Sequence, residues 1–262
     1  MIRVAVLGAC GKLGSEIVRA IAAVDDVELV GVCDVVHSGR PVGDVVGVEG
    51  LDLPIVSDFG AMLNQSKPEV VVDVAKPFTM DNTRAMLKQG VVPVIGTTGL
   101  TTSEVDEISR LADEAGVAAM VIPNFAIGAV LMMKFAAEAA KYMPTAEIIE
   151  LHREEKIDAP SGTAIRTAEI IDAARWETGA EPVKPLGSDG PSRGEKHSGV
   201  PVHSVRLPGL VAHQEVLFGG TGQLLTIRHD STDWTSFMPG VLLAIRKARD
   251  VKGLVYGLDK LM

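Results

Sequence analysis

Ile2-Arg3-Val4-Ala5-Val6-Leu7-Gly8-Ala9-Cys10-Gly11-Lys12-Leu13-Gly14 is the stretch that decides the fold. Its first six residues form a β-prone apolar run, and its glycines then recur at positions 8, 11 and 14. Residues 15–24 carry a helical period, with Ile17, Val18, Ile21 and Ala22 on one side. A second apolar strand over 28–33 ends at Asp34. Strand, glycine turn, helix and strand make a βαβ unit of the kind buried in a parallel sheet. The glycine spacing is GxxGxxG rather than GxGxxG, but its place between a strand and a helix gives the pattern weight. Glycines there let the backbone approach a pyrophosphate while the helix N-terminus supplies positive potential. Gly8, Gly11, Lys12, Leu13 and Gly14 are therefore candidate cofactor-binding residues, and Asp34 is placed for an adenosine ribose hydroxyl pair. A tight βα turn with no ligand is the plain alternative, and the strand-turn-helix-strand-acid order argues against it. Asp34 disfavours a 2′-phosphate by like-charge repulsion and so favours NADH. Lys12, His37 and Arg40 could neutralise such a phosphate, which leaves NADPH open as well.

Strands and helices continue to alternate outward from this unit. Strands are expected over 70–74, 92–95 and 118–122, with helices over 81–89 and 103–115. That order predicts an α/β fold, a Rossmann-type doubly wound parallel sheet. Gly96-Thr97-Thr98-Gly99 and Pro123-Asn124-Phe125-Ala126 each follow a strand, where a doubly wound sheet keeps its ligand crevice. A long Ala- and Met-rich helix over 127–142 marks a change of pattern. Strand candidates then follow over 146–151, 202–206, 213–218 and 224–229, with one helix among them. They predict a second α+β domain with an open mixed sheet. Residues 178–201, rich in Gly, Pro, Ser and charge, are expected to form a long loop. A last helix over 238–249 suits a return to the first sheet. The expected domains are therefore 1–125 with 235–262 for the dinucleotide, and 126–234 for substrate and oligomerisation.

Composition narrows the function. With 25 Lys and Arg against 34 Asp and Glu, the net charge of −9 offers nucleic acid and anionic membranes no general attraction. The apolar run at residues 1–7 enters a turn at once, unlike a signal peptide, and no stretch reaches the ~18 residues of a membrane span. A cytoplasmic protein is expected. Cys10 and Cys33 are too few for a disulfide framework or a structural zinc site, and the histidines at 152, 203, 213 and 229 lack ligand spacing, so no metal is expected.

The densest chemistry lies in His152-Arg153-Glu154-Glu155-Lys156-Ile157-Asp158-Ala159-Pro160-Ser161-Gly162-Thr163-Ala164. Pro160 favours an extended or turning chain at Ala159, and Ser161 or Thr163 can cap a helix over 164–174. The result is a set of N–H groups at a helix N-terminus, suited to an anion. His152 and Lys156 lie just upstream as a proton donor and a carboxylate-binding cation. An ordinary capped βα connection with solvated charges is the alternative.

These elements in this order resemble the dihydrodipicolinate reductase family of the lysine and diaminopimelate pathway. The resemblance rests on Gly8 to Gly14, Gly96-Thr97-Thr98-Gly99, Asn124-Phe125, Glu150-Leu151-His152, the run from Lys156 to Ala164, and Val205-Arg206-Leu207-Pro208-Gly209. It implies an NAD(P)H-dependent reduction of a small cyclic dicarboxylate, 4-hydroxy-tetrahydrodipicolinate, by a homotetramer. It also implies that Gly96, Thr97, Thr98, Asn124 and Phe125 lie on the nicotinamide side, with Thr98 reaching substrate. His152 matches the family's general acid, Lys156 its catalytic and substrate-binding lysine, and Ser161, Gly162 and Thr163 its carboxylate-binding turn. The family commonly has two adjacent histidines, and here the second is Arg153, which can hold a carboxylate bidentately but cannot share a proton near neutral pH. Another imine or amino-acid oxidoreductase on the same plan, or a silent nucleotide sensor, are the alternative readings.

Overall fold

The computed structural model describes residues 1–183 and 190–262, in two compact units. The first unit comprises Met1–Phe125 and Phe237–Met262, the second Ala126–Ser236. In the first, β1 (Ile2–Leu7) leads through the glycine turn into α1 (Lys12–Ala22) and β2 (Val27–Cys33). Helix α1 starts at Lys12 rather than at residue 15, because Gly11 is already its N-cap. Gly14 thus lies inside the helix. A Cβ there would stand 1.9 Å from the Gly8 carbonyl oxygen, so only glycine lets the first turn pack on the strand end. Gly8 itself needs the left-handed region, at φ +85.

Residues 42–66 carried no sequence expectation. They form α2 (Val42–Val46), β3 (Ile55–Val56) and α3 (Phe59–Ser66), the last capped by Asp58, whose carboxylate accepts the Ala61 N–H at 2.7 Å. β4 (Val70–Asp73), α4 (Met80–Lys88), β5 (Val92–Ile95), α5 (Thr102–Ala115) and β6 (Ala119–Val121) follow. Thr101 and Glu104 close a capping box at the start of α5. Val4, Val6, Val70, Val71 and Val72 are buried on both faces of the sheet, which is why these strands read as unbroken apolar runs. Met62, Leu63 and Met86 fill one face, and Ile108, Ala112 and Leu87 pack over another part of the sheet. Each such large side chain contributes about 2 kcal/mol on burial.

The second unit begins with α6 (Ile127–Ala140) and β7 (Thr145–His152), followed by α7 (Gly162–Thr178). The expected loop over 178–201 is partly structured. α7 runs on to Thr178, and a 3-10 turn (Pro191–Arg193) and β8 (Glu195–His197) precede β9 (Val200–Arg206); residues 184–189 lie outside the described residues. β8 is short and mostly polar, so it shows no period of two; it is placed by antiparallel pairing with β9. β10 (Ala212–Gly220) and β11 (Gln223–Ser231) complete a five-stranded sheet of order β11-β10-β7-β9-β8. β7 pairs with β9 in parallel and with β10 antiparallel, which makes the sheet mixed. Ala146, Ile148 and Glu150 alternate onto the face covered by α6 and α7, with Phe218, Val216, Ala168 and Ile171. A carboxylate therefore enters an otherwise apolar layer.

The chain then rejoins the first unit through α8 (Met238–Lys247) and β12 (Leu254–Tyr256), which pairs with β6. The completed sheet is entirely parallel, in the order β12-β6-β5-β4-β1-β2-β3. Its strand order reverses between β1 and β4, the place where doubly wound sheets open a ligand crevice.

Candidate functional site

In the first unit, the residues expected to hold a cofactor all lie at carboxyl ends of strands. The glycine turn leaves β1, Asp34 follows β2, Gly96 to Thr98 follow β5, and Asn124-Phe125 follow β6. No side chain caps α1, and no acid sits in its first turn. With glycines at positions 8 and 14 keeping the backbone bare, that end is built for an anion, and a pyrophosphate fits it. Lys12 is exposed at the same helix end.

Asp34 also has a structural task. Its Oδ2 accepts the Cys10 N–H at 2.8 Å and its Oδ1 the Val36 N–H at 3.0 Å, so the carboxylate ties the glycine turn to the end of β2. Burial first, then the Asp34 charge, push the Cys10 thiol up to about 11, and the sulfur stays a protonated small hydrophobe.

The β5 end divides its labour. Thr97 is buried and donates its hydroxyl to the Ala75 carbonyl at 2.9 Å, locking the β4 and β5 loops together. Thr98 is exposed and, with Lys76, Pro77, Phe78, Gly99, Leu100 and Glu104, lines a pocket of about 250 Å³. Phe125 is buried against Gly96, where a Cβ would come within 2.6 Å of its ring, so only glycine lets the two segments pack this closely. Asp73 opens the segment Asp73-Val74-Ala75-Lys76-Pro77, whose sequence reads as an ordinary connection after β4. Asp73 is 1% exposed, its Oδ1 accepts the Ala75 N–H at 3.0 Å, and its Oδ2 has no hydrogen-bond partner among the described residues. Burial pushes its carboxyl up to about 6, against the smaller effect of that hydrogen bond.

In the second unit, the end of β7 and the start of α7 bring the catalytic candidates together. Ser161 caps α7, its hydroxyl accepting the Ala164 N–H at 3.2 Å. The serine is 2% exposed, so its oxygen is spent on the helix; Gly162, exposed, and Thr163, half-buried, are the members of the turn that face outward. His152 places Nδ1 2.5 Å from Glu150 Oε2. Glu150 is 0% exposed and accepts an Arg206 fork, Nη2 to Oε1 at 2.8 Å and Nη1 to Oε2 at 2.9 Å. Its Oε1 also accepts the Ser161 N–H at 3.2 Å. Burial alone would raise the Glu150 carboxyl, but hydrogen bonds from His152, Arg206 and Ser204 outweigh it and hold the pKa down to about 2.

Lys156 donates to both carboxylate oxygens of Asp158 at 2.7 Å, while the Asp158 carbonyl accepts Arg206 Nη2 at 2.7 Å. Arg153 lies beside Glu155, Nε to Oε2 at 3.7 Å, and its guanidinium stands over the Trp234 ring, 5.2 Å from the centroid. Sequence reasoning gave no role to Glu150, Arg206, Asp158 or Trp234. The available signal was Glu150 itself, a charge at an inward position of an alternating strand two residues before His152; on β9, Ser204 pairs with Glu150 and Arg206 with His152. Among the described residues no cluster of three or more His, Cys, Asp or Glu is arranged to hold a metal ion. None of their helices is long and apolar enough to cross a membrane.

The chain matches two family models in succession, dihydrodipicolinate reductase, N-terminus, over residues 2–125 and dihydrodipicolinate reductase, C-terminus, over 128–262. It is 51% identical over 261 residues to a 4-hydroxy-tetrahydrodipicolinate reductase from Syntrophomonas wolfei, covering 99% of this chain and 98% of that protein. A protein of the same name from Moorella thermoacetica is 48% identical, covering 100% and 98%. Among solved structures, a dipicolinate-bound dihydrodipicolinate reductase from Paenisporosarcina sp. TG-14 is 42% identical with a TM-score of 0.82, covering 100% of both chains. An amine dehydrogenase from Mycobacterium smegmatis, 15% identical with a TM-score of 0.64 over 97% of this chain and 94% of that one, shares the fold alone. Spanned end to end by the two family models, the chain belongs to the dihydrodipicolinate reductase family.

Proposed function

We propose that the protein is an NAD(P)H-dependent 4-hydroxy-tetrahydrodipicolinate reductase acting in lysine and diaminopimelate biosynthesis. The observation that carries this reading is the joining of His152 and the Ser161 turn through one buried carboxylate, Glu150, in a chain of this family. A proton donor and a carboxylate cradle are the two things that reduction of a cyclic dicarboxylate requires of its protein.

When bound, the nicotinamide would supply a hydride to carbon 4 of the conjugated cyclic imine that remains once the 4-hydroxyl and a proton from the adjacent ring carbon have left as water. The chain's own residues do the rest. The α1 N-terminus with Gly8, Gly11 and Gly14 would hold the pyrophosphate, and Asp34, which keeps that turn in place, would accept from a ribose hydroxyl. Thr98 and the Asn124-Phe125 segment support the nicotinamide side. The N–H groups of Gly162 and Thr163 hold a substrate carboxylate together with Lys156, whose ammonium is lent to Asp158 until a substrate carboxylate replaces it. His152 protonates the enamine that hydride addition leaves. Arg153 offers a second, permanently charged contact for a carboxylate, fixed by the Trp234 face. Because Arg153 stands where the family commonly has histidine, a related imine substrate is the second reading. The open sheet of the second unit is the surface on which a homotetramer would be built, and the protein would work in the cytoplasm on free metabolites.

The test is turnover. Purified protein mixed with NADH or NADPH and freshly generated 4-hydroxy-tetrahydrodipicolinate should consume the nicotinamide absorbance, and a panel of other cyclic imines should be reduced far more slowly. His152→Gln and Lys156→Ala should each lower kcat by on the order of 10²-fold or more while the cofactor dissociation constant stays near wild type. Unchanged turnover in either variant would remove that residue from its role.

A further inference from the structure

We infer that Glu150, clamped by Arg206, is a positioning residue that holds His152 in the Nδ1–H tautomer, leaving Nε2 as the only ring atom that exchanges a proton with substrate. The inference rests on the reading of His152 as proton donor and adds the atom and the residue that select it.

The Glu150 side chain is fully enclosed; beside the hydrogen bond from Ser204, four contacts from Arg206, Ser161 and His152 converge on its two oxygens. Two come from the planar Arg206 fork and one from the Ser161 backbone, and all three of these can only donate. The fork supplies a permanent positive charge opposite the carboxylate, which keeps Glu150 ionised and therefore an acceptor only. The fourth contact is the His152 ring, and a nitrogen that meets an ionised carboxylate at 2.5 Å must bring a hydrogen. Nδ1 thus keeps its proton throughout a catalytic cycle. The Glu150 and Arg206 charges already balance each other, so the ring can give up its Nε2 proton without leaving an unpaired carboxylate in the core.

The same carboxylate sets a second geometry. Oε1 holds the Ser161 N–H, Ser161 caps α7, and Arg206 reaches on to the Asp158 carbonyl, next to the Lys156 partner. Rotation of the Glu150 carboxylate would move the acid and the start of the carboxylate-binding turn together. Proton transfer and substrate orientation are then set by one buried group and cannot drift apart.

Glu150→Gln separates this role from simple packing, since it conserves shape. Glutamine has only one oxygen, so its NH2 group must face donors on one side. It takes the place either of Oε2, where it faces the ring and one Arg206 hydrogen, or of Oε1, where it faces the other Arg206 hydrogen and the Ser161 N–H, so the set of contacts is broken in both orientations. The experiment is nitrogen-15 NMR of the full chain with all six histidines labelled, with the His152 signals identified by their loss in His152→Gln. In wild type, without substrate and at a pH where the ring is neutral, His152 should show a protonated Nδ1 and an unprotonated Nε2. Glu150→Gln should reverse or average that pattern and lower kcat by on the order of 10²-fold, with the NADH dissociation constant within about twofold of wild type. A wild-type His152 protonated at Nε2 would overturn the inference even if Glu150→Gln failed to fold, and so would an unchanged ring pattern in a folded variant. Failure of the proton-donor reading looks different: the expected tautomer in wild type, with His152→Gln still turning over at full rate.

Discussion

Two buried carboxylates in this chain carry opposite pH signatures. Asp73 is held at about 6 by burial against one backbone hydrogen bond, where an unfolded aspartate has 3.8. Below 3.8 both states bind the proton and no difference arises. Between 3.8 and about 6 the unfolded chain ionises first, so wild-type stability falls as pH rises, by on the order of 3 kcal/mol once complete. Asp73→Asn should therefore be indistinguishable from wild type near pH 3.5 and increasingly more stable above pH 4, with the advantage levelling off above about pH 6. Denaturant melts across that range, without nucleotide, would show it; an equal offset at every pH would contradict it. Glu150 behaves in reverse. Its pKa of about 2 lies below the usual 4.5, so its contribution is complete above 4.5 and is lost as pH falls toward 2. At this scale the sequence was legible where a residue type has few uses. The segment from His152 to Ala164 supplied the candidate anion turn and acid from residue types alone, whereas the burial of Glu150 and Asp73 required knowledge of which way each strand faces. That direction is a tertiary property, decided by what packs on the sheet.

Elements were legible in proportion to their periodicity. The strands at both ends of the first βαβ unit stand out as unbroken apolar runs, and the helices over 102–115 and 238–247 because each repeats its apolar positions. α2, β3, β8 and β12 have five residues or fewer, too short to show a period, and they exist because longer neighbours offer them hydrogen bonds or a surface. The start of α1 was displaced by three residues because Gly14 reads as a turn residue, while its true task is close contact inside the helix. Gly14→Ala should therefore abolish NADH binding or lower its affinity at least tenfold, since its Cβ would meet a backbone carbonyl that cannot move without breaking the turn. Gly162→Ala is the contrast, because nothing lies within 4 Å of a Cβ there; it should keep wild-type NADH affinity and stability. Isothermal titration of both variants reads the difference, and equal losses would refute it. Ser161→Ala should cost about 1 kcal/mol in a denaturant melt through the lost α7 cap.

At the level of the whole chain, the first unit is discontinuous. Val241, Ala244, Ile245 and Leu258, all from the last 26 residues, are buried in it, and β12 extends its sheet beyond β6. Removing residues 237–262 should therefore unfold the nucleotide-binding half although every glycine of the phosphate turn remains. Loss of NADH binding with a reduced far-ultraviolet helix signal is the expected outcome; a truncated chain that still bound NADH normally would contradict it. The return of the chain was legible in the Met238-Pro239 start and apolar face of its last helix, and the doubly wound class in the alternation of the first 122 residues. The mixed order of the second sheet was legible only as a class, because parallel and antiparallel neighbours both place alternate residues on one face.

The central claim is a hydride delivered to carbon 4 of a cyclic dicarboxylate, and isotope transfer tests it most directly. Either nicotinamide cofactor, deuterated in turn on each face of its own reactive carbon, would be incubated with the protein and freshly generated 4-hydroxy-tetrahydrodipicolinate. The product would then be read by NMR and mass spectrometry. The account predicts that one of the two labelled cofactors places a single deuterium on product carbon 4 and that the other places none. Deuterium at a different carbon, or consumption of the cofactor with no label in the product from either face, would contradict it.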